Sequence, residues 1–370
     1  MKVLVTGSEG FVAKNLIVRL GELECFEVVK FSRQTPEKHL STLVVDIDAV
    51  VHLAGVNRPQ TPNEFATGNA GLTESLCQAL VSCRRKVPVI LPSSIQATRD
   101  NPYGNSKRDA ENAMWRYAEQ TGASVYLYRL PNVFGKWCKP NYNSAVATFC
   151  HNIARSLPIE INNSNTELRL VHVDDVVDEF LRVLQTLPSV ALGNLCVVPM
   201  EYTTTVGAVA EQIEAFRNSR ATLVTEPVGS GLVRALYATY VSYFPPVAFA
   251  YEVPKYGDPR GVFVEMLKTK DSGQFSFFTA HPGMTRGGHY HHSKTEKFLV
   301  IKGSARFCFR HILTNEAHEI LTSGETPQVV ETVPGWAHDI TNIGDDEMVV
   351  MLWANEVFDL ARPDTIVCKV

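Results

Sequence analysis

The eight cysteines, at positions 25, 77, 83, 138, 150, 196, 308 and 368, contain no CxxC pair. Scattered in this way they read as reduced, mostly buried small residues of a cytoplasmic protein. An excess of charge is also missing. With 35 Lys and Arg against 39 Asp and Glu, the net charge is −4, which gives no basic face for nucleic acid or an anionic membrane. No apolar run is long enough to span a bilayer, and Met1–Gly7 reads as a short strand rather than a signal peptide. Beyond Pro246 no long amphipathic helical pattern occurs.

What is present is a globular composition, 45% hydrophobic and 20% charged over 370 residues, enough for more than one domain. Lys2–Thr6 is an apolar strand that runs through Gly7-Ser8-Glu9-Gly10-Phe11-Val12 into a helix ending near Leu20. Strand, glycine turn and helix form the context of a dinucleotide fingerprint. Gly7 permits the tight turn, and Gly10 lets backbone N–H groups approach a pyrophosphate at the helix N-terminus. The third small position is Ala13 rather than glycine. A second strand, Phe26–Phe31, ends in Ser32-Arg33, where NAD-binding proteins usually carry an acid. Arg33 suits the 2′-phosphate of NADPH, although a solvated arginine explains it too. Further strands at Ala49–Gly55, Val87–Leu91 and Val125–Leu130 alternate with helices at Asn69–Cys83 and Ser106–Gln120, predicting a doubly wound parallel α/β sheet.

Within this frame Tyr103 and Lys107 are four residues apart, which puts both on one helix face. Alone, that spacing also describes a solvated helix. Beside a phenol, an ammonium is expected to lower the tyrosine pKa into a usable acid/base range. Thr6-Gly7-x-x-Gly10-Phe11, His52-Leu53-Ala54-Gly55, Ser93-Ser94, Tyr103-x-x-x-Lys107 and Arg129-Leu130-Pro131-Asn132-Val133-Phe134-Gly135 occur in one order over about the first 240 residues. With these motifs the chain resembles the extended short-chain dehydrogenase/reductases that act on nucleotide sugars. The resemblance implies a Rossmann-type fold with NADP bound by Gly7, Gly10, Phe11, Val12, Arg33, Leu53, Ala54, Gly55, Tyr103, Lys107 and Leu130. It implies Tyr103 as acid/base, Lys107 as its modulator and ribose ligand, and Ser94 as donor to the substrate carbonyl. Asn132, Asn143 and Arg169 are implied at the sugar nucleotide.

After Pro245-Pro246 the pattern becomes short alternating strands, so we expect a reductase domain over 1–246 and an all-β barrel or sandwich over 247–370. His289 and His291 would share one face of a strand, with Glu296 five residues on and His338 on a later strand. Imidazoles with a carboxylate suit a divalent metal, zinc among several. The spacing Gly283-x5-His289-Tyr290-His291-x4-Glu296-x6-Gly303, followed by Pro334-Gly335-Trp336-Ala337-His338-x3-Asn342, resembles the cupin family. Pro334 and Gly335 adjoin where that family usually inserts a residue. Gly257-Asp258-Pro259-Arg260-Gly261 and Arg286-Gly287-Gly288-His289 resemble the sugar-nucleotide epimerases built on a cupin barrel. There the histidine at the position of His289 is a base and no metal is present. The complete spacing favours it here as a ligand.

As a whole the chain resembles the bifunctional epimerase/reductases of capsule biosynthesis, in the pathway to UDP-N-acetyl-L-fucosamine. That resemblance implies a UDP-2-acetamido-2,6-dideoxy-4-hexulose substrate, epimerised at C3 in the cupin domain and reduced at C4 with NADPH. Two rival readings remain. One is a single-activity 4-keto reductase whose cupin domain makes a homodimer. The other is a non-catalytic sugar-nucleotide sensor.

Overall fold

The computed structural model describes all residues except 62, 187–194, 250, 292, 293, 313 and 362. The chain forms two compact units, Met1–Ile213 with Ala235–Phe244, and Glu214–Arg234 with Pro245–Val370. A division into 1–246 and 247–370 differs from this by the excursion Glu214–Arg234 and by Pro245 and Pro246, which fall in the second unit. That excursion joins the second unit through a parallel pairing of Val224–Thr225 with Lys268 and Thr269. The Lys268 N–H also donates to the Leu223 carbonyl at 2.7 Å.

The first unit opens with β1 (Lys2–Thr6), α1 (Phe11–Gly21), β2 (Glu27–Phe31), α2 (Leu40–Leu43), β3 (Ala49–His52), α3 (Asn63–Phe65) and α4 (Leu72–Ser82). It continues with β4 (Val89–Ser94), α5 (Pro102–Thr121), β5 (Val125–Leu130), β6 (Asn132–Phe134), α6 (Ala145–Ile153), β7 (Glu167–His172), α7 (Val173–Thr186) and β8 (Tyr202–Thr205). Its main sheet has the order β2-β1-β3-β4-β5, all parallel. Runs such as Val3-Leu4-Val5 and Ala49-Val50-Val51 are buried, because helices cover both faces of a parallel sheet. One core packs around Leu16, Val51, Tyr128 and Phe180, and a second around Leu4, Leu76, Val89 and Met114. The strand order reverses between β1 and β3, and a ligand crevice opens at such a point beyond the carboxyl ends of the strands.

α5 starts four residues earlier than the sequence pattern suggests. Asn101 caps it by accepting the Gly104 N–H at 2.8 Å, and Pro102 occupies the first turn. Gly122 ends it at φ 70°. Gly104 has no room for a side chain, since a Cβ there would lie 2.4 Å from the carbonyl oxygens of Gln96 and Arg99.

Helices α8 (Val206–Thr222) and α9 (Gly231–Ser242) flank the short strand β9 (Val224–Thr225). The second unit is otherwise antiparallel. It contains β10 (Lys255–Asp258), β11 (Gly261–Thr269), β12 (Gln274–Ala280), β13 (Thr285–Tyr290), β14 (Glu296–Lys302) and β15 (Ser304–His311). β16 (Ala317–Ser323), β17 (Val329–Glu331), β18 (Trp336–Asn342), β19 (Met348–Ala354) and β20 (Ile366–Val367) complete it. One sheet runs β10-β11-β12-β19-β14-β17 and the other β16-β15-β18-β13-β20. Phe278, Phe298, Phe307, Phe309, Ile340 and Val350 from the two sheets form a common core.

Asn342 ties this core together. Fully buried, it donates to the carbonyls of Ala280 (2.9 Å) and Asp346 (2.8 Å) and accepts the Gly344 N–H at 2.9 Å. Asn342→Ala leaves these backbone groups without partners and is expected to cost about 2–3 kcal/mol. A lowered urea midpoint for the second unit checks this, and an unchanged midpoint counts against it.

Candidate functional sites

The first unit holds a cavity of about 780 Å³ at the carboxyl ends of β1 to β5. Gly7, Gly10, Phe11 and Val12 line it from the β1–α1 turn, and Arg33 from the end of β2. Gly7 takes φ 64°, and a Cβ there would lie 2.7 Å from the Ala54 backbone, so both the turn and the close approach require glycine. Gly10 precedes α1 and no side chain caps the helix, which leaves its N–H groups facing the cavity.

Leu53 and Gly55 line the cavity from the segment after β3, while Ala54 faces a smaller neighbouring void. A buried network braces that segment. His52 contacts Thr6 Oγ1 through Nδ1 (2.7 Å) and Thr73 Oγ1 through Nε2 (3.0 Å), and the Ala54 N–H donates to Thr6 Oγ1 at 3.1 Å. Burial pushes His52 down to about 3, so the ring is neutral at physiological pH.

Ser94, Tyr103, Lys107, Leu130, Asn132 and Asn143 line it as well. The Tyr103 hydroxyl donates to Asn57 Oδ1 at 3.2 Å, and Lys107 Nζ lies 5.8 Å from the Tyr103 ring centroid. Burial pushes the Tyr103 phenol above its ordinary value, and the Ser94 hydroxyl offsets part of that rise. The lowered pKa expected from an adjacent ammonium is therefore corrected, because desolvation of the phenolate outweighs the Ser94 hydrogen bond. Burial lowers Lys107 to about 8, against the pull of Glu111. The two adjacent serines part company here. Ser93 donates to the buried Glu111 at 2.5 Å, and Ser94 accepts the Gln96 N–H at 3.2 Å beside Tyr103.

Arg169 does not line this cavity. Its guanidinium pairs with Glu201 at 2.6 Å, and its carbonyl accepts from Asn132 Nδ2 at 3.2 Å. Sequence reasoning missed Asn57 and also the group around Tyr142. Arg58 and Lys139 stand 5.3 and 5.4 Å from the Tyr142 ring, and Arg58 Nε donates to Asn143 Oδ1 at 2.7 Å. Asn57 and Arg58 lie only two and three residues past Gly55, and their position after a cofactor strand was the available signal.

In the second unit, His289, His291, Glu296 and His338 offer ligand atoms that all lie within 4.8 Å of one another. β13 and β18 pair in a register that sets His289 opposite His338, across an irregularity between Gly287 and His289. The adjoining Pro334 and Gly335 therefore do not displace His338. Glu296 enters from the first residue of β14, in the other sheet. His291 Nδ1 bonds the Asp364 carbonyl, and His338 Nδ1 lies 3.4 Å from the Trp336 carbonyl. Donation from Nδ1 leaves Nε2 of a neutral ring as an acceptor. Yet the Nε2 atoms of His291 and His338 face Glu296 Oε2 at 3.2 and 3.6 Å.

Acceptors packed against a carboxylate repel unless a proton or a cation stands between them. His338 Nε2 is moreover buried without a hydrogen-bond partner. Burial lowers His289 to about 4, keeping a lone pair available at neutral pH. Burial alone would raise the Glu296 carboxyl, but contacts with His291 and His338, favourable only with a proton or cation at the facing Nε2 atoms, and the Lys294 ammonium 2.8 Å from Oε1 hold it well below the usual range. The donor set thus fits a divalent cation. Lys294 was not anticipated, although its place between His291 and Glu296 was visible.

Residues 3–196 match the NAD dependent epimerase/dehydratase family, and residues 256–366 match the polysaccharide biosynthesis C-terminal domain. The chain is 60% identical over 370 residues to a Pseudomonas aeruginosa protein named UDP-2-acetamido-2,6-beta-L-arabino-hexul-4-ose reductase, covering 100% of this chain and 99% of that one. The capsular polysaccharide assembling protein CapF from Staphylococcus aureus superposes with a TM-score of 0.92 at 42% identity, over 100% of both chains. UDP-glucuronic acid 4-epimerase from Bacillus cereus, in complex with NAD, shares the fold with a TM-score of 0.56 at 18% identity. It covers 66% of this chain and 98% of its own. Among the described residues no helix is long and apolar enough to cross a membrane.

Purified protein is expected to carry a divalent metal ion in the second unit, and Glu296→Gln to leave it substoichiometric. Elemental analysis of both proteins decides this. Equal metal content in the two would remove Glu296 from the set.

Proposed function

Because the chain belongs to the NAD dependent epimerase/dehydratase family, we propose that it is a bifunctional nucleotide-sugar enzyme making a capsular polysaccharide precursor. The substrate is a UDP-2-acetamido-2,6-dideoxy-4-hexulose. The second unit, a cupin-type domain, epimerises C3, and the first unit then reduces the C4 ketone with NADPH. The observation that carries this reading is the convergence of Tyr103, Lys107 and Ser94 on one cavity with the β1–α1 turn and Arg33. The Pseudomonas aeruginosa relative, named as a reductase of such a 4-ketosugar, supports the choice of substrate.

NADPH, held along Gly7–Val12 and by Arg33, supplies the hydride when bound. Ser94 donates a hydrogen bond to the C4 carbonyl oxygen, drawing charge toward it. As that oxygen becomes an alkoxide, Tyr103 Oη gives it a proton, and the high phenol pKa keeps that proton in place until then. Lys107 contributes a positive charge beside the phenolate that remains. Asn57 holds the Tyr103 hydroxyl between turnovers. When bound in the second unit, a divalent cation, with zinc the first candidate, supplies a fixed positive charge for its four ligands and Lewis acidity toward a sugar oxygen.

A single-activity reductase, paired as a homodimer through its second unit, is the alternative, favoured by the relative being named for reduction alone. Incubating the 4-keto UDP-sugar with and without NADPH, and following the products by NMR, separates the two. A C3 epimer formed without NADPH supports the bifunctional reading, and an untouched C3 supports the alternative. Tyr103→Phe is expected to slow NADPH oxidation by roughly 10²–10⁴-fold with cofactor affinity nearly intact. Near-normal turnover would place the acid elsewhere. Arg33→Ala is expected to lower the preference for NADPH over NADH. An unchanged ratio of kcat/KM values for the two cofactors would show that another group reads the 2′-phosphate.

A further inference from the structure

Tyr103, Lys107 and Glu111 follow one another at intervals of four along α5, so a third ionisable group shares the face that carries the first two. Glu111 is 3% exposed, and its surroundings are built around it. Oε1 accepts from the Ser93 hydroxyl at 2.5 Å and from Arg129 Nε at 3.1 Å. Oε2 accepts from Arg129 Nη2 at 2.7 Å and Nε at 3.2 Å. Ser93 and Arg129 are themselves register partners on β4 and β5. One carboxylate therefore joins the helix that carries the acid to the two strands that deliver Ser94 and Leu130.

We propose that Glu111 is a positioning residue for the reduction: its carboxylate locks α5 onto β4 and β5, and its charge keeps Lys107 protonated beside Tyr103. This rests on the reading of Tyr103 as the acid. The clamp and the charge are separable roles, since a carboxylate on a shorter stem keeps the charge while loosening the bridge to Ser93 and Arg129. The charge matters because Lys107 is desolvated. The groups that the structure sets near it are Tyr103 and Glu111 from α5 itself, Ser93 from β4, Thr73 from α4 and neutral His52 from β3. Arg129 reaches Glu111 from β5, and Asn69 comes from the turn before α4. Of these, Glu111 is the one carboxylate. Arg129 takes part of its field, and what remains acts on Lys107 one helical turn away.

The test uses full-length protein and competitive labelling with acetic anhydride, which reports the pKa of Lys107 from its pH-dependent acetylation without calling on activity. Glu111→Gln is expected to lower that pKa by about one unit or more. The alkaline limb of NADPH oxidation should move to lower pH by the same amount. Glu111→Asp, which keeps the charge, is expected to restore the Lys107 pKa even where turnover stays reduced. Ser93→Ala removes one hydrogen bond and leaves the charge, so Lys107 should titrate as in the unaltered protein. A Lys107 pKa unmoved in Glu111→Gln, or lowered as far in Ser93→Ala, overturns the proposal. If the pKa falls as expected but the unaltered protein oxidises no NADPH with any 4-keto UDP-sugar, the reductase reading fails instead.

Discussion

Desolvation of charge is the constraint on which both sites depend. Water leaves a group cheaply only in its neutral form, so burial raises the Tyr103 phenol, takes Lys107 to about 8 and takes His289 to about 4. Each site then holds the charge it needs through a specific partner. Lys107 has Glu111, and the Glu296 carboxylate has Lys294. Imidazoles and a carboxylate gathered in one site are a poor arrangement for an empty core and a good one for a cation.

The same principle orders the proposed chemistry. A C3 proton is acidic only while the adjacent C4 carbonyl can take up the negative charge as an enolate. After reduction that acceptor is an alcohol, and no side-chain base removes the proton. Epimerisation therefore precedes reduction. The residues for reduction lie in the first unit and the four metal-binding candidates in the second. Each site then needs its own hold on the UDP moiety, because remote contacts orient the reacting centre.

Much of this was legible in the chain because short-range periodicity encodes it. The strand–glycine–helix start, the four-residue step from Tyr103 to Lys107 and the two-residue step from His289 to His291 are local rules of helices and strands. What escaped depends on tertiary register. Glu111 gains its meaning from Ser93 and Arg129 lying side by side on β4 and β5, which no local pattern announces. The sign of the Tyr103 shift was misjudged because a sequence displays a neighbouring lysine but not the depth of burial. Arg169 ends on Glu201, 32 residues away in sequence, rather than in the cavity. The excursion Glu214–Arg234 depends on a two-residue strand, too short to leave a signal.

The central claim is that proton removal at C3 and reduction at C4 occupy separate sites. Deuterium uptake at C3 by the Tyr103→Phe protein, with the 4-keto UDP-sugar in D₂O and no NADPH, tests it most directly. The account predicts incorporation at C3 comparable to that of the unaltered protein. Exchange that requires an intact Tyr103 or added NADPH would place both reactions in one pocket and contradict it.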